Sequence, residues 1–273
     1  MALKSLKIIS FIFAVIILTI FTQVGGIILL LSWFIYLLFK KKQFKWRRVL
    51  GIFIFFYLLC TLILVPLIAP MFGRVNLPAT GSPNLVPATI LTCLLNRHYV
   101  KPELHREINE LSSKWEQKFP KSKILYLDAN FPFWDGFKLF PHLSHTDGKK
   151  LDLALYFLSS NGKTLMNETP TLFGYGYFIE PAEGRKNQTE TCLNKGYWQY
   201  DFIKHFTFRS SNKYRLDAEK TKYLIYLLDN QKGIGKIFLE PHLKETLGFS
   251  SSTKIRFHGC QAVRHDDHIH IQL

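Results

Sequence analysis

Two almost uninterrupted apolar blocks, Ile8 to Phe39 and Val49 to Met71, constrain this chain more than any other feature. Helical stretches of this kind belong in lipid, because about 20 consecutive apolar residues are enough to cross a bilayer. Between the blocks lies Lys40-Lys41-Lys42-Gln43-Phe44-Lys45-Trp46-Arg47-Arg48, a short basic loop of the kind kept in the cytoplasm by the positive-inside rule. Residues 1–71 therefore read as a membrane anchor of two or three transmembrane helices, with everything from residue 72 onward exported. The first block can be one overlong tilted span, but Gln23-Val24-Gly25-Gly26 near its middle favours a tight hairpin of two short spans. A cleavable signal peptide is the weaker reading, since no small-residue cleavage site precedes the second block.

With 273 residues, the chain has room for one ordinary domain beside this anchor. The anchor holds eight Lys and Arg and no acid, so the formal +15 of the whole chain falls to +7 for the exported part. That is not the charge of a polynucleotide binder; it suits an anionic polymer such as a cell wall, and solubility alone explains it about as well. Residues 72–86, rich in Pro, Gly, Ser and Asn, read as a linker, and the domain runs over 87–273. Apolar spacing predicts helices over Ala88–His98, Pro102–Phe119, Asp217–Asp229 and Pro241–Leu247. It predicts strands over Ser122–Leu127, Leu151–Phe157, Gly235–Leu239, Lys254–Phe257 and Asp267–Leu273. The fold class is α+β, a small antiparallel sheet flanked by helices.

Chemistry concentrates near the C-terminus, where His265, His268 and His270 stand within the last nine residues, beside Asp266 and Asp267. In a strand, residues two apart share a face, so His268 and His270 project together. A catalytic zinc takes three protein ligands from nitrogen and oxygen donors and keeps a water, so this tail needs partners from elsewhere. Ser144-His145-Thr146-Asp147-Gly148-Lys149-Lys150-Leu151-Asp152 offers them: Asp147-Gly148 is a turn signal, and His145 and Asp152 can meet across it.

His145-x6-Asp152 followed near the end by His268-Ile269-His270 resembles the signature of the zinc metallopeptidase superfamily of lysostaphin-type enzymes, D-Ala-D-Ala peptidases and the hedgehog domain. The likeness is greatest to penicillin-insensitive murein endopeptidases, whose further upstream His is matched by His265. The resemblance implies Zn2+ held by His145, Asp152 and His270, with His268 and His265 acting on the water or the transition state. It implies a peptidase cutting an amide bond in peptidoglycan peptides, placed at a bacterial cytoplasmic membrane with its C-terminal domain outside. A relative that keeps the fold as an inactive metal-binding scaffold or a wall-binding module is the alternative. The motif covers roughly 25 residues, and Phe173 to Tyr200 aligns with no motif.

Other features carry less. Trp134-Asp135-Gly136-Phe137 reads as an aromatic turn on the core, or as the lining of a substrate groove. His98, His105, His142, His205, His242 and His258 receive no function. Glu180 can touch the site, and of Cys93, Cys192 and Cys260 one pair can bridge in an exported, oxidising setting, Cys260 with Cys192 being the pairing favoured. Neither a Gly-rich phosphate loop nor a Gly-x-Ser-x-Gly elbow is present, which argues against nucleotide and serine-hydrolase chemistry.

Overall fold

The computed structural model describes residues 2–39, 46–82, 84–163, 165–205 and 213–273; Lys40 to Lys45 of the basic loop lie outside them. Three helices come first: α1 (Ala2–Thr22), α2 (Gly25–Phe39) and α3 (Trp46–Phe72). Gln23, in the left-handed region at φ 65°, turns α1 back into α2. The turn is tight because Gly26 lets the backbones close up: a Cβ there would stand 2.0 Å from Thr19 Oγ1 and 2.5 Å from Val15 O. The turn expected around Gln23-Val24-Gly25-Gly26 is thus present as a break between two helices. Among the described residues, only α3 is long and apolar enough to cross a membrane, its apolar neighbours Leu6–Thr22 and Gly25–Phe39 being shorter.

After α3 come β1 (Val75–Asn76), β2 (Leu85–Pro87), α4 (Ile90–Leu94), β3 (Tyr99–Val100) and α5 (Pro102–Lys118). Strands β4 (Ile124–Tyr126), β5 (Lys150–Ala154) and β6 (Phe157–Leu158) follow, then α6 (Gln188–Asn194), β7 (Arg215–Leu216) and α7 (Ala218–Asn230). The chain ends through β8 (Lys236–Phe238), α8 (Pro241–Thr246), β9 (Ile255–Arg256) and β10 (His268–Gln272). The main sheet has the order β2-β4-β5-β10-β8-β9. Helix α5 starts with Pro102 at its first position, where the missing N–H costs nothing, and buries Leu104, Ile108, Leu111 and Trp115. Trp115 stacks on Tyr156 at 4.7 Å and donates from Nε1 to Ser122 O, which fixes α5 over the sheet.

The α+β class stands, but the sheet is mixed rather than antiparallel. Its centre, β4-β5-β10-β8, is antiparallel, whereas β2 runs parallel to β4 and β9 parallel to β8. The reason is the connection: α5 lies between β2 and β4 and α8 between β8 and β9, and a helical crossover returns the chain in the same direction. The stretch 72–86 is not a detached linker. It supplies β1 and the start of β2, and Arg74, Leu77 and Leu85 are buried. The helix expected over Ala88–His98 shrinks to α4, capped by Thr89, and Asn96 at φ 57° turns the chain away. Strand β5 stops at Ala154, opposite His268 where β10 begins, and the N–H of Tyr156 goes to Thr221 Oγ1 on α7 instead.

Candidate metal centre

The centre is built on the β5–β10 pair. These strands are antiparallel with His270 directly opposite Asp152, so the two side chains leave the same face of the sheet. On the other face Leu151, Leu153, Ile269 and Ile271 are buried in the core, which pins the register: a slip of one residue would drive the polar set into the core. His145 arrives from the long loop between β4 and β5. Gly148, at φ 76° and packed so closely on Arg74 that a Cβ would stand 2.6 Å from its guanidinium carbon, turns that loop into β5.

His145, Asp152 and His270 each offer one ligand atom to a common point, and all three residues are buried. Asp152 Oδ1 stands 2.8 Å from His270 Nδ1 and 3.3 Å from His145 Nε2, and the two nitrogens are 3.1 Å apart. Ligands of a four-coordinate zinc, at about 2.0–2.1 Å from the metal, lie about 3.3 Å from one another, so this spacing fits a metal's coordination shell. The tautomer fits as well. His145 Nδ1 faces Ala129 O at 2.5 Å, and a carbonyl only accepts, so Nδ1 carries a proton and Nε2 is the ring atom turned to the cluster. The cluster can hold a metal ion.

Around it lies a supporting shell. Asp152 Oδ2 accepts from Tyr175 Oη at 2.8 Å and faces His142 Nδ1 at 3.2 Å. His142 Nδ1 is also 3.1 Å from Asp128 Oδ2, which pairs with Arg97 at 3.0 Å. His268 Nδ1 is bound by Asp267, whose other oxygen accepts from Gly176 N–H at 2.6 Å. That leaves His268 Nε2 buried, without a hydrogen-bond partner among the described residues, 3.9 Å from Asp152 Oδ1. His265 sits beside it, ring centres 4.9 Å apart, its N–H held by Glu240 Oε1.

Electrostatics follow from burial and from these neighbours. Burial alone would raise the Asp152 carboxyl, but His145, His268 and His270 hold it well below the ordinary carboxylate range. Burial lowers His270 to about 3 despite the adjacent carboxylate. His265 is pushed well below its usual value by burial and then by His268 and His270. For His268 burial acts in the same direction, but Asp267 and Asp152 outweigh it and raise the imidazole to about 9.

All five expected site residues therefore meet in one place, and several that the sequence reading passed over meet with them. His142 received no function, although it stands three positions before His145. His258 received none either, and its ring lies 5.1 Å from that of His265 and 5.9 Å from that of His270. Tyr175 had no signal, since it lies within the stretch that aligns with no motif. Glu180 pairs with Arg264 at 3.1 Å. Trp134 is not packed in the core, being exposed beside Phe72 and Phe133. Cys192 and Cys260 form the expected disulfide. No protein-family model matches the chain, and no curated protein does.

Proposed function

We propose that the chain is a membrane-anchored zinc peptidase that hydrolyses an amide bond in peptidoglycan peptides outside a bacterial cytoplasmic membrane. The observation that carries the reading is the convergence of His145 Nε2, Asp152 Oδ1 and His270 Nδ1 at ligand spacing, with the unpartnered His268 Nε2 next to them. Two histidines and one carboxylate are the donor set of a catalytic zinc site with a place left for water. Bound there, zinc supplies Lewis acidity toward a carbonyl and a water acidic enough to ionise near neutral pH. His268, oriented through Nδ1 by Asp267 and kept protonated by the neighbouring carboxylates, would present Nε2–H to the developing charge on the carbonyl oxygen and could give that proton to the leaving nitrogen. His265 and Tyr175 flank that path.

The anchor part of the reading draws support from the outward faces of α1 and α3. Ile12, Phe13, Ile16, Phe55, Leu62 and Leu67 are exposed there, an apolar surface far larger than a water-soluble domain carries. The test is elemental analysis of the full chain in detergent, followed by digestion of muropeptides with and without a chelator. One zinc per chain and chelator-sensitive cleavage are expected. H145A and D152A lose metal and turnover, and H268A loses turnover while keeping metal. Turnover that survives metal removal refutes the reading.

One observation favours the alternative of an inactive scaffold: His145, Asp152, His265, His268 and His270 are each at most 3 % exposed. A site so closed binds a cation without admitting a peptide. Stoichiometric zinc with no cleavage of any muropeptide is the result that selects it.

A further inference from the structure

The loop that delivers His145, Phe131 to Ser144, is unusual on the surface of a domain. Trp134, Phe140 and Leu143 are 59 %, 48 % and 52 % exposed, three large apolar side chains within ten residues. They are not scattered. Phe140 packs edge-on against Phe21 at 5.9 Å, one residue before the end of α1. Phe133 and Trp134 lie against Phe72, the last residue of α3, at 4.9 and 6.2 Å. Gln23, in the turn after α1, accepts the N–H of Phe133 at 3.0 Å. The exposed apolar surface of the loop is thus continuous with the ends of two apolar helices and lies at their level.

Charge along the loop agrees with this placement. Its one acid, Asp135, is neutralised by the buried Arg74, with Lys101 Nζ 3.8 Å from its other oxygen. Lys138, exposed between Trp134 and Phe140, adds an ammonium to the same surface. Tryptophan, flanking apolar side chains and a lysine that reaches up to the headgroups are the composition of a membrane-interface segment.

We propose that Phe131 to Ser144 is a membrane-interface loop. Trp134, Phe140 and Leu143 enter the headgroup–acyl boundary of the leaflet in which α1 and α3 end, and the partner of this surface is the lipid bilayer itself. The inference rests on the reading of α3 as a membrane span and is independent of zinc and of catalysis. It also sets where the metal centre works: Phe140 and His145 are five residues apart, and a chain extends at most about 3.6 Å per residue, so the two lie within about 18 Å. The candidate centre then lies close to the bilayer surface.

The full chain, reconstituted in phosphatidylcholine vesicles, tests this through the fluorescence of Trp134, taken as wild type minus W134F. Lipids brominated at the shallow end of the acyl chain are expected to quench that difference signal by about twofold or more, while aqueous acrylamide barely touches it. Co-flotation of the protein with the vesicles is recorded in the same samples. Co-flotation together with acrylamide quenching of Trp134, or with quenching by neither agent, overturns the interface loop and leaves the anchor standing. Failure to co-float overturns both. W134F keeps the ring contact with Phe72, so its own metal content and melting temperature, unchanged from wild type, exclude misfolding as the source of the signal.

Discussion

Asp152 Oδ2 is turned away from the candidate metal position and has two neighbours able to donate to it, Tyr175 Oη at 2.8 Å and His142 Nδ1 at 3.2 Å. Removing them one at a time and then together measures how far metal binding depends on this support. In H142F the ring space stays filled and the donor goes, leaving Asp152 and Asp128 as neighbouring carboxylates with only Arg97 to offset the second. In Y175F a single oxygen goes, which also strands the N–H of Asp128 that the phenol accepts at 3.0 Å. Loss of an outer-shell partner typically weakens metal affinity 10–100-fold, or about 1.4–2.7 kcal/mol. His142 makes the longer contact and shares its donor with Asp128, so H142F falls near tenfold and Y175F higher in that range. The double variant is expected to be worse than the product of the two by about 1 kcal/mol, because either donor alone satisfies Oδ2 and only the pair leaves it bare in the interior. Zinc affinity is read by competition with a chromophoric chelator on the full chain in detergent near neutral pH. Single variants within about twofold of wild type, or strict additivity in the double, would refute the claim that this oxygen is the lever.

Two further outcomes concern stability. The Cys192–Cys260 bridge closes 68 positions of chain, and loop entropy at that length is worth up to about 4 kcal/mol, so C192A/C260A should melt lower by several degrees and should be proteolysed between residues 187 and 205. Unchanged melting would show that this region is held by its other contacts. Burial lowers His98 from its ordinary 6.5 to about 4. The unfolded chain takes up that proton as pH drops through 6.5 and the folded chain refuses it until about 4. Stability therefore falls across this window, by up to about 3 kcal/mol. H98F should flatten the decline in melting temperature between neutral pH and pH 4, and an equally steep decline in H98F would assign it to other groups.

How much of this was legible depended on whether the information was local. The period-3.6 apolar pattern of Pro102–Lys118 and the alternation of Ile269 and Ile271 with His268 and His270 are set by single segments, and both are read directly from the chain. Asp152 and His270 lie 118 positions apart; each sits on an expected strand, and the resemblance of the motif spacing, not periodicity, is what matched them. Strand direction was not local: whether β2 meets β4 parallel depends on the path of the chain through α5, which the strand residues do not encode. Tyr175 and Asp128 were invisible for a similar reason. They sit in irregular backbone, where no periodicity assigns a face, and only the folded loop brings them to Asp152. The Pro- and Gly-rich composition of 72–86 misled because turns and short edge strands use the same residues as linkers, and burial of Leu77 and Leu85 is a tertiary fact.

The anchor and the metal centre are also less separable than a helix-plus-domain division suggests. Asn96 Nδ2 donates to Thr61 Oγ1, within a π-helical turn of α3, at 3.3 Å, and lies 3.4 Å from Thr22 O at the end of α1. The next residue, Arg97, donates to Phe140 O at 2.6 Å and pairs with Asp128, which shares His142 with the ligand Asp152. Tyr57 on α3 donates to Leu94 O at 2.7 Å, and Val65 and Ala69 pack on the fully buried Tyr99. A cut at residue 72 would bare that apolar contact and leave Asn96 and the N–H of Phe133 without their partners, each a buried polar group whose exposure or orphaning costs about 1–3 kcal/mol. The loop that carries His145 leans on the same contacts, so detaching the helices from the rest of the chain would loosen the candidate centre as well. The packing of α1 and α3 is therefore coupled to the candidate metal centre through Arg97 and Asp128, and the full chain is the unit in which its chemistry has to be measured.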